Sequence, residues 1–451
     1  MLIRIIGIAP YAGALNSTWW DRDLGIGGRV FVKDSKSGKI EMKLVKLDWP
    51  SKSASIIASF PICHQRVPRL LRGTLVHHSS RLKPHAVAPG GPPEGHLAFS
   101  PLFRDEPPAA LRGPLRGAFI FQNETDSLLF PVARIPTLAP HFGTASSGPF
   151  NKETEMVPII GLSSHSDNHS ASTAPHTNTS LLSSSSSTFA STQPPLLLSA
   201  IASTLSIPTS SIFNWELELF DTQPACLGGI SKELIFAGRI DDRLCSYSAI
   251  EGLLTSSTSS SSIIKSVALY DDEEIGSLLR QGAQSTLLPA TISRVIGAFL
   301  PPHQTSEASL LAQTFANSFL ISADVTHALN PNFMHVYLEN HSPKLNVGVA
   351  IQADPNGHTT TDGASTALLM RVAQKAGCEL QVFQIRNDVR SGGTVGPMLS
   401  SKTGMRSIDA GLPQLSMHSI RATTGSLDPG LGVKLFGGFF NHFESIDKEF
   451  R

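Results

Sequence analysis

The sequence predicts an α/β fold with a central mixed sheet of largely parallel strands, joined to a smaller β-rich unit. Three observations predict it. From about residue 195 onward, short apolar runs of strand character alternate with segments of helical period. Several of these runs end on Asp, Glu or His, and functional groups gather beyond the carboxyl ends of strands in open α/β sheets. The opening of the chain alternates instead around a turn signal, the pattern of a hairpin.

Taken in order, "MLIRIIGIAPYAGAL" reads as a strand and a Gly-containing loop in preference to a signal peptide. "GGRVFVKDSKSGKIEMKLVKLDWP" reads as two strands turning at "DSKSGK". Residues 51–130 are rich in Pro, Gly, Arg and His without a sustained period, and read as an irregular insertion. Pattern returns in "PVARIPTLAPHFG" and "EMVPIIGL". It lapses again in a low-complexity serine tract over 163–194, expected to be flexible. This divides the chain into a β-rich unit at 1–228 and an α/β unit at 229–451. In the second, "ELIFAGRI", "SVALY", "SFLISA" and "LQVFQI" are the expected strands. Leu244, Tyr247, Ile250 and Leu254 predict a helix after "RIDD". "TDGASTALLMRVAQKAG" predicts another, with Asp362 near its start, a Leu368/Val372/Ala376 stripe and Gly377 as its stop.

Composition narrows the function. The 451 residues are 41% hydrophobic, enough for two cores, and 36 basic residues balance 36 acidic ones. A dedicated nucleic-acid binder would show a basic excess, so nucleic acid is not an expected partner. No apolar run reaches membrane-spanning length, so no membrane partner is expected either. Cys63, Cys226, Cys245 and Cys378 are scattered, with neither the spacing of a zinc knuckle nor a disulfide framework, which fits a reducing compartment and a cytoplasmic default.

Four strand-like runs end in metal-ligand chemistry. "IFAGRI" leads to Asp241 and Asp242, "VALY" to Asp271, Asp272, Glu273 and Glu274, "FLISA" to Asp324 and then His327, and "PQLSM" to His418. Each has a plain structural reading: a helix-capping acid, a solvated acidic turn, a packed histidine. Their recurrence at comparable points of one sheet favours a two-metal hydrolase site. Zinc accepts carboxylate oxygen and imidazole nitrogen, and two adjacent metals can share one carboxylate and activate one water. A further carboxylate beside a ligand can take that water's proton, and the neighbours Glu273 and Glu274 suit this division. A calcium loop is disfavoured, because the candidates span 241–418 instead of one loop. His165 and Asp167 have ligand-like spacing but lie in the serine tract, and His77 and His78 lie in the insertion.

Together "FAGRIDDRLCS", "LYDDEEIGS", "ISADVTHALNPNF", "RNDVRSGGTVGP" and "PQLSMHSIR" resemble the aspartyl aminopeptidase family, dinuclear zinc exopeptidases that include fungal vacuolar aminopeptidases. "STWWDRDLGIGGRVFVK", "ARIPTLAPHF" and "DTQPACLGG" are similar to the same family, and the resemblance covers roughly 1–50, 131–160 and 195–451. It implies a zinc-exopeptidase-like α/β catalytic domain, a smaller β-rich dimerisation domain and a homo-oligomer, a dodecamer in the family. It implies two zinc ions, with Asp241 bridging, Glu274 and His418 on one metal and Asp324 on the other. Glu273 becomes the general base. His141 becomes a residue that reaches a neighbouring subunit's site and stabilises the developing oxyanion. Gln352 and Thr359 fall where animal members read an acidic substrate side chain with Lys and Tyr, so acidic N-terminal residues are the family default and neutral ones an alternative. The family also carries an earlier H-x-D segment whose His completes the Asp324 metal site, and this chain is expected to lack it. The alternative reading is therefore a catalytically impaired member or incomplete gene product that acts only as an oligomer subunit. A vacuolar location also follows from the resemblance.

Overall fold

The computed structural model describes residues 2–47, 131–163, 188–257, 261–300 and 307–450. The irregular insertion, most of the serine tract, His77, His78, His165 and Asp167 lie outside the described residues.

The first part of the chain holds β1 (Leu2–Ile5), β2 (Leu24–Lys33), β3 (Ile40–Leu47), β4 (Ile159–Ser163), α1 (Pro195–Leu205) and β5 (Ile212–Asp221). The expected hairpin forms: β2 and β3 pair antiparallel, with Ile26 opposite Leu47 and Lys33 opposite Ile40. Its turn is held by Asp34, whose carboxylate accepts from the Lys36 and Ser37 amides. β5 pairs antiparallel on the other edge of β2. Ile26, Val30 and Val32 from β2 and Val45 and Leu47 from β3 pack with Leu197, Leu198 and Ile201 of α1. An amphipathic helix thereby covers one face of a three-stranded sheet. A neighbouring cluster joins Leu15, Leu24, Ala133, Ile135 and Met156 to Ile420, from near the other end of the chain.

The rest of the chain runs through β6 (Cys226–Gly228), β7 (Leu234–Ala237), α2 (Ile240–Thr255), α3 (Leu287–Phe299), α4 (Glu307–Asn317), β8 (Phe319–Ser322) and β9 (Thr326–His327). It continues through β10 (Ala350–Ala353), α5 (Gly363–Ala376), β11 (Gln381–Gln384), α6 (Val395–Thr403), β12 (Arg406–Gly411), β13 (Pro413–Gln414), β14 (Ala422–Gly425) and α7 (Asp428–Asp447). The central sheet has the order β11-β10-β12-β8. Two of its pairings are parallel and the β10–β12 pairing is antiparallel, so the sheet is mixed. A smaller sheet, β14-β7-β6, lies beside the candidate site. Ile351, Ile408, Ala410 and Leu412 from the strands pack against Leu368, Leu369 and Val372 of α5 and Leu435, Phe436 and Phe443 of α7.

Helix α5 follows its sequence signals. Asp362 caps it by accepting from the Ser365 amide, and Gly377 ends it in a left-handed conformation with φ 63°. One expected helix forms with a buried face that only partly follows its apolar stripe, and one expected strand is corrected. Helix α2 forms, but Tyr247 is 52% and Leu254 71% exposed, and its buried face is Leu244, Cys245, Ser248 and Gly252. The reason is close packing of α2 against α7: a Cβ on Gly252 would stand 2.8 Å from the Gly437 nitrogen, so small residues occupy the contact, and Tyr247 and Leu254 turn outward while Leu244 stays buried. "SVALY" is not a strand. A strand needs a neighbour to take its N–H and C=O groups, and among the described residues none pairs with it. Its side chains are half-buried or exposed instead of fully buried.

Candidate metal centre

Asp241 and Asp242 leave β7 through Arg239, which has φ 58°, and precede the regular part of α2. The peptide between them is cis. The Asp242 carboxylate accepts from the Cys245 amide at 3.2 Å and so caps α2, while Asp241 faces the site. The acidic block is shaped by a tight turn. Asp272 is left-handed, Glu273–Ile275 make one helical turn, and Gly276 (φ 86°) ends it. The Asp271 amide is held by the Gln281 carbonyl at 3.1 Å. In this turn Glu274 is exposed and Glu273 half-buried, so the two neighbours point to different surroundings. His418 stands on a turn between β13 and β14, Asp324 just beyond β8.

These elements bring three of the expected ligands together. Asp241, Glu274 and His418 each offer one donor atom, all within 4.8 Å of one another. His418 Nε2 is 3.5 Å from a Glu274 oxygen and 3.8 Å from an Asp241 oxygen. Asp324 does not share that triangle, but its carboxyl feels Asp242, Asp241 and Glu273. Burial first, and then those carboxylates, push it well above the ordinary range. Burial and then Asp241 likewise raise Asp242 well above its usual value. Burial and then the Glu274 carboxylate raise Asp241 to about 6, against a lowering by His418. Burial, Glu274 and Asp241 raise Glu273 to about 7.

Five carboxylates pressed together in a partly dry recess repel, and a divalent cation is the species that relieves this repulsion. Two carboxylate oxygens and one imidazole nitrogen at this separation fit the donor set that zinc accepts. The residues present therefore fit one metal at Asp241, Glu274 and His418.

The family model described as aminopeptidase I zinc metalloprotease (M18) matches residues 2–57 and 118–440. The chain belongs to the M18 family of zinc aminopeptidases. Its activity class is therefore metal-dependent removal of N-terminal residues from peptides. The M18 match leaves 58–117 uncovered, inside the stretch read from sequence as an insertion. Vacuolar aminopeptidase 1 of Saccharomyces cerevisiae is 38% identical over 449 residues, 99% of this chain and 70% of that protein. The aspartyl aminopeptidase of Aspergillus oryzae is 32% identical over 98% of this chain and 76% of that protein. The solved structure of the S. cerevisiae mApe1 dodecamer aligns with a TM-score of 0.66 at 33% identity, covering 99% of this chain and 75% of that one.

The remaining sequence-derived residues of this M18 chain sit differently. His141 lies on the exposed short helical stretch Pro140–Ser146, and among the described residues no interaction links it to the cluster of its own chain. Gln352 and Thr359 are buried, at 8% and 4% exposure, and their hydrogen bonds run inward. Gln352 Nε2 donates to the Asp324 carbonyl at 3.0 Å, and Thr359 Oγ1 donates to the Gln352 carbonyl at 2.8 Å. Gln352 thus holds the main chain of a candidate ligand, a role that nothing local in the sequence signals. Two further residues stand near the cluster: His327, noted in the sequence beside Asp324, and Tyr11, which the sequence reading did not single out. The His327 ring lies 5.3 Å from Phe383, and burial and then His418 lower its pKa. Tyr11 meets the acidic block, and burial followed by Asp272, Asp271 and Glu274 pushes its hydroxyl up to about 12. The His327 signal was visible three residues after Asp324, whereas Tyr11 is more than two hundred residues from its partners.

Proposed function

We propose that this chain carries out its aminopeptidase reaction at the Asp241–Glu274–His418 centre, with Asp324 completing a second metal position shared through Asp241. The observation that carries the reading is the convergence of those three donor atoms within 4.8 Å from three segments distant in sequence. A bound zinc supplies Lewis acidity that polarises the scissile carbonyl and makes a water acidic near neutral pH. Glu273, beside Glu274 but outside the ligand triangle, accepts the proton of the attacking water and hands it to the leaving amine nitrogen. Asp242 anchors α2 and so holds Asp241 in line. His141, exposed on its own subunit, donates to the developing oxyanion in the site of a neighbouring copy. That role needs a homo-oligomer, and the dodecamer of the S. cerevisiae relative supplies the precedent.

Gln352 and Thr359 stand where the family resemblance places the readers of an acidic substrate side chain, and neither supplies a cation there. Discrimination in favour of Asp or Glu is accordingly weak, and neutral residues are accepted. The vacuolar relative makes the vacuole the location favoured by similarity, beside the cytoplasm. The test is hydrolysis of aspartyl and leucyl peptide substrates by the purified chain with zinc or cobalt. Chelator-sensitive cleavage of both is expected. Cleavage of neither would leave the alternative of a catalytically silent oligomer subunit.

A further inference from the structure

The turn that presents His418 is gripped by the opposite end of the chain. Ser416 and His418 both have φ of 62°, a left-handed conformation that residues with a Cβ seldom adopt unless it is enforced. The His418 side chain is 52% exposed, so packing around the imidazole does little to fix it. The main chain on either side is fixed instead. Asn16 Nδ2 donates to the His418 carbonyl at 2.9 Å, across 402 positions of sequence. The Ile420 amide donates to Thr18 Oγ1 at 3.0 Å. Thr18 Oγ1 in turn donates to Asn16 Oδ1 at 2.7 Å, which joins the two side chains into one unit. The Ile420 side chain, 7% exposed, is buried with Leu15, Leu24 and Ile135. The segment is held at its His418 carbonyl, its Ile420 amide and its Ile420 side chain, in each case by residues of the N-terminal part.

We propose that Asn16 and Thr18 are positioning residues for the metal centre, holding the His418 turn so that its imidazole meets Asp241 and Glu274. The proposal rests on the reading of His418 as a ligand. Asn16 also has a local task, because its Oδ1 accepts the Thr18 amide at 3.0 Å and starts the short turn Ser17–Trp19. The two tasks use different atoms. The cap of Ser17–Trp19 needs Oδ1, whereas Nδ2 donates to the His418 carbonyl at 2.9 Å, with a longer local bond to the Gly13 carbonyl at 3.4 Å. Asn16→Asp therefore separates them: it keeps the acceptor and sets a second oxygen against the His418 carbonyl.

The experiment measures cobalt binding to the full 451-residue chain by chelator competition, together with the visible absorption of the bound cobalt. The variants are Asn16→Asp, Asn16→Ala, Thr18→Ser and His418→Ala, each checked for wild-type folding by circular dichroism. Groups that orient a metal ligand typically change affinity by about 10–100-fold when removed. Both Asn16 variants are expected to weaken cobalt by that factor and to shift its absorption band. Thr18→Ser, which keeps the hydroxyl, is expected to stay within about twofold of wild type on the same scale. Should Asn16→Ala unfold, Asn16→Asp carries the test. Unchanged affinity and absorption in the Asn16 variants, with His418→Ala weakened, overturns the positioning role. Unchanged affinity in His418→Ala overturns the ligand reading beneath it.

Discussion

Gly411 ends β12 directly against the main chain of Asp324, and replacing it with alanine should disturb the metal centre without replacing a ligand. A Cβ placed there would stand 2.5 Å from the Asp324 carbonyl carbon and 3.1 Å from its nitrogen, overlapping the carbonyl oxygen still more closely. Ordinary contact begins at 3.4 Å, so clearing the carbonyl carbon alone requires about 0.9 Å of separation, and clearing the oxygen requires more. Neither can yield by rotating a side chain, because the obstacle is backbone. β12 and β8 are locked in parallel register with Asp409 opposite Ser322, and Gln352 Nε2 holds the same Asp324 carbonyl. Overpacking of this kind costs roughly 1–3 kcal/mol of stability. The functional cost is larger, since a misplacement of about 1 Å in a reacting array can lower the rate about 100-fold. Gly430→Ala is the control: its Cβ meets nothing within 4 Å and it lies in α7, so it should stabilise by roughly 0.5–1 kcal/mol. The assay is cobalt stoichiometry and peptide hydrolysis of both variants beside thermal unfolding. A Gly411→Ala protein with wild-type metal content and turnover would refute the reasoning.

Other perturbations read separate parts of the molecule. Glu273→Gln should lower turnover by about 100-fold or more, with metal content nearly unchanged; metal loss in that variant would make Glu273 a ligand. Asp221 and Arg421 pair at 3.1 Å with side chains only 5% and 8% exposed. Asp221→Asn leaves the guanidinium buried beside the carbonyls of Gln223, Pro224 and Phe236. It should cost near the lower end of about 3–5 kcal/mol in denaturant unfolding, and a loss too small to measure would show the pair to be dispensable. Burial raises the folded-state pKa of Asp428 above 3.8 despite donors from Asn346, Gly425 and Thr424. The folded state therefore binds this proton more tightly than the unfolded chain, and the destabilisation is absent below the unfolded value and grows as pH rises through the folded one. Asp428→Asn removes that dependence, so unfolding midpoints of variant and wild type should draw apart in the variant's favour as pH rises above about 4, the unfolded value. A gap moving the opposite way contradicts the assignment.

What the sequence could determine was whatever rests on neighbours along the chain. The β2–β3 hairpin follows from alternation around a polar turn, and the ends of α5 follow from Asp362 and Gly377. The chemistry of the site was legible for a related reason. Ligand types are set by side-chain identity, so Asp241, Glu273, Glu274, Asp324 and His418 stood out before any geometry was known. The residues that carry the family resemblance are largely the same ones.

The tertiary structure decided everything that needed a distant partner. "SVALY" has strand composition, yet a strand exists only if another segment takes its hydrogen bonds, and the described chain offers none. Tyr247 and Leu254 of α2 turned outward because α7 approaches the small residues of that helix, a choice made by the partner helix. Gln352 secures the Asp324 carbonyl from 28 positions away, and Asn16 secures the His418 carbonyl from 402. Composition names the atoms able to hold a metal. Which of them meet, and what keeps them there, depends on long-range contacts whose energies involve pairs that no local pattern records.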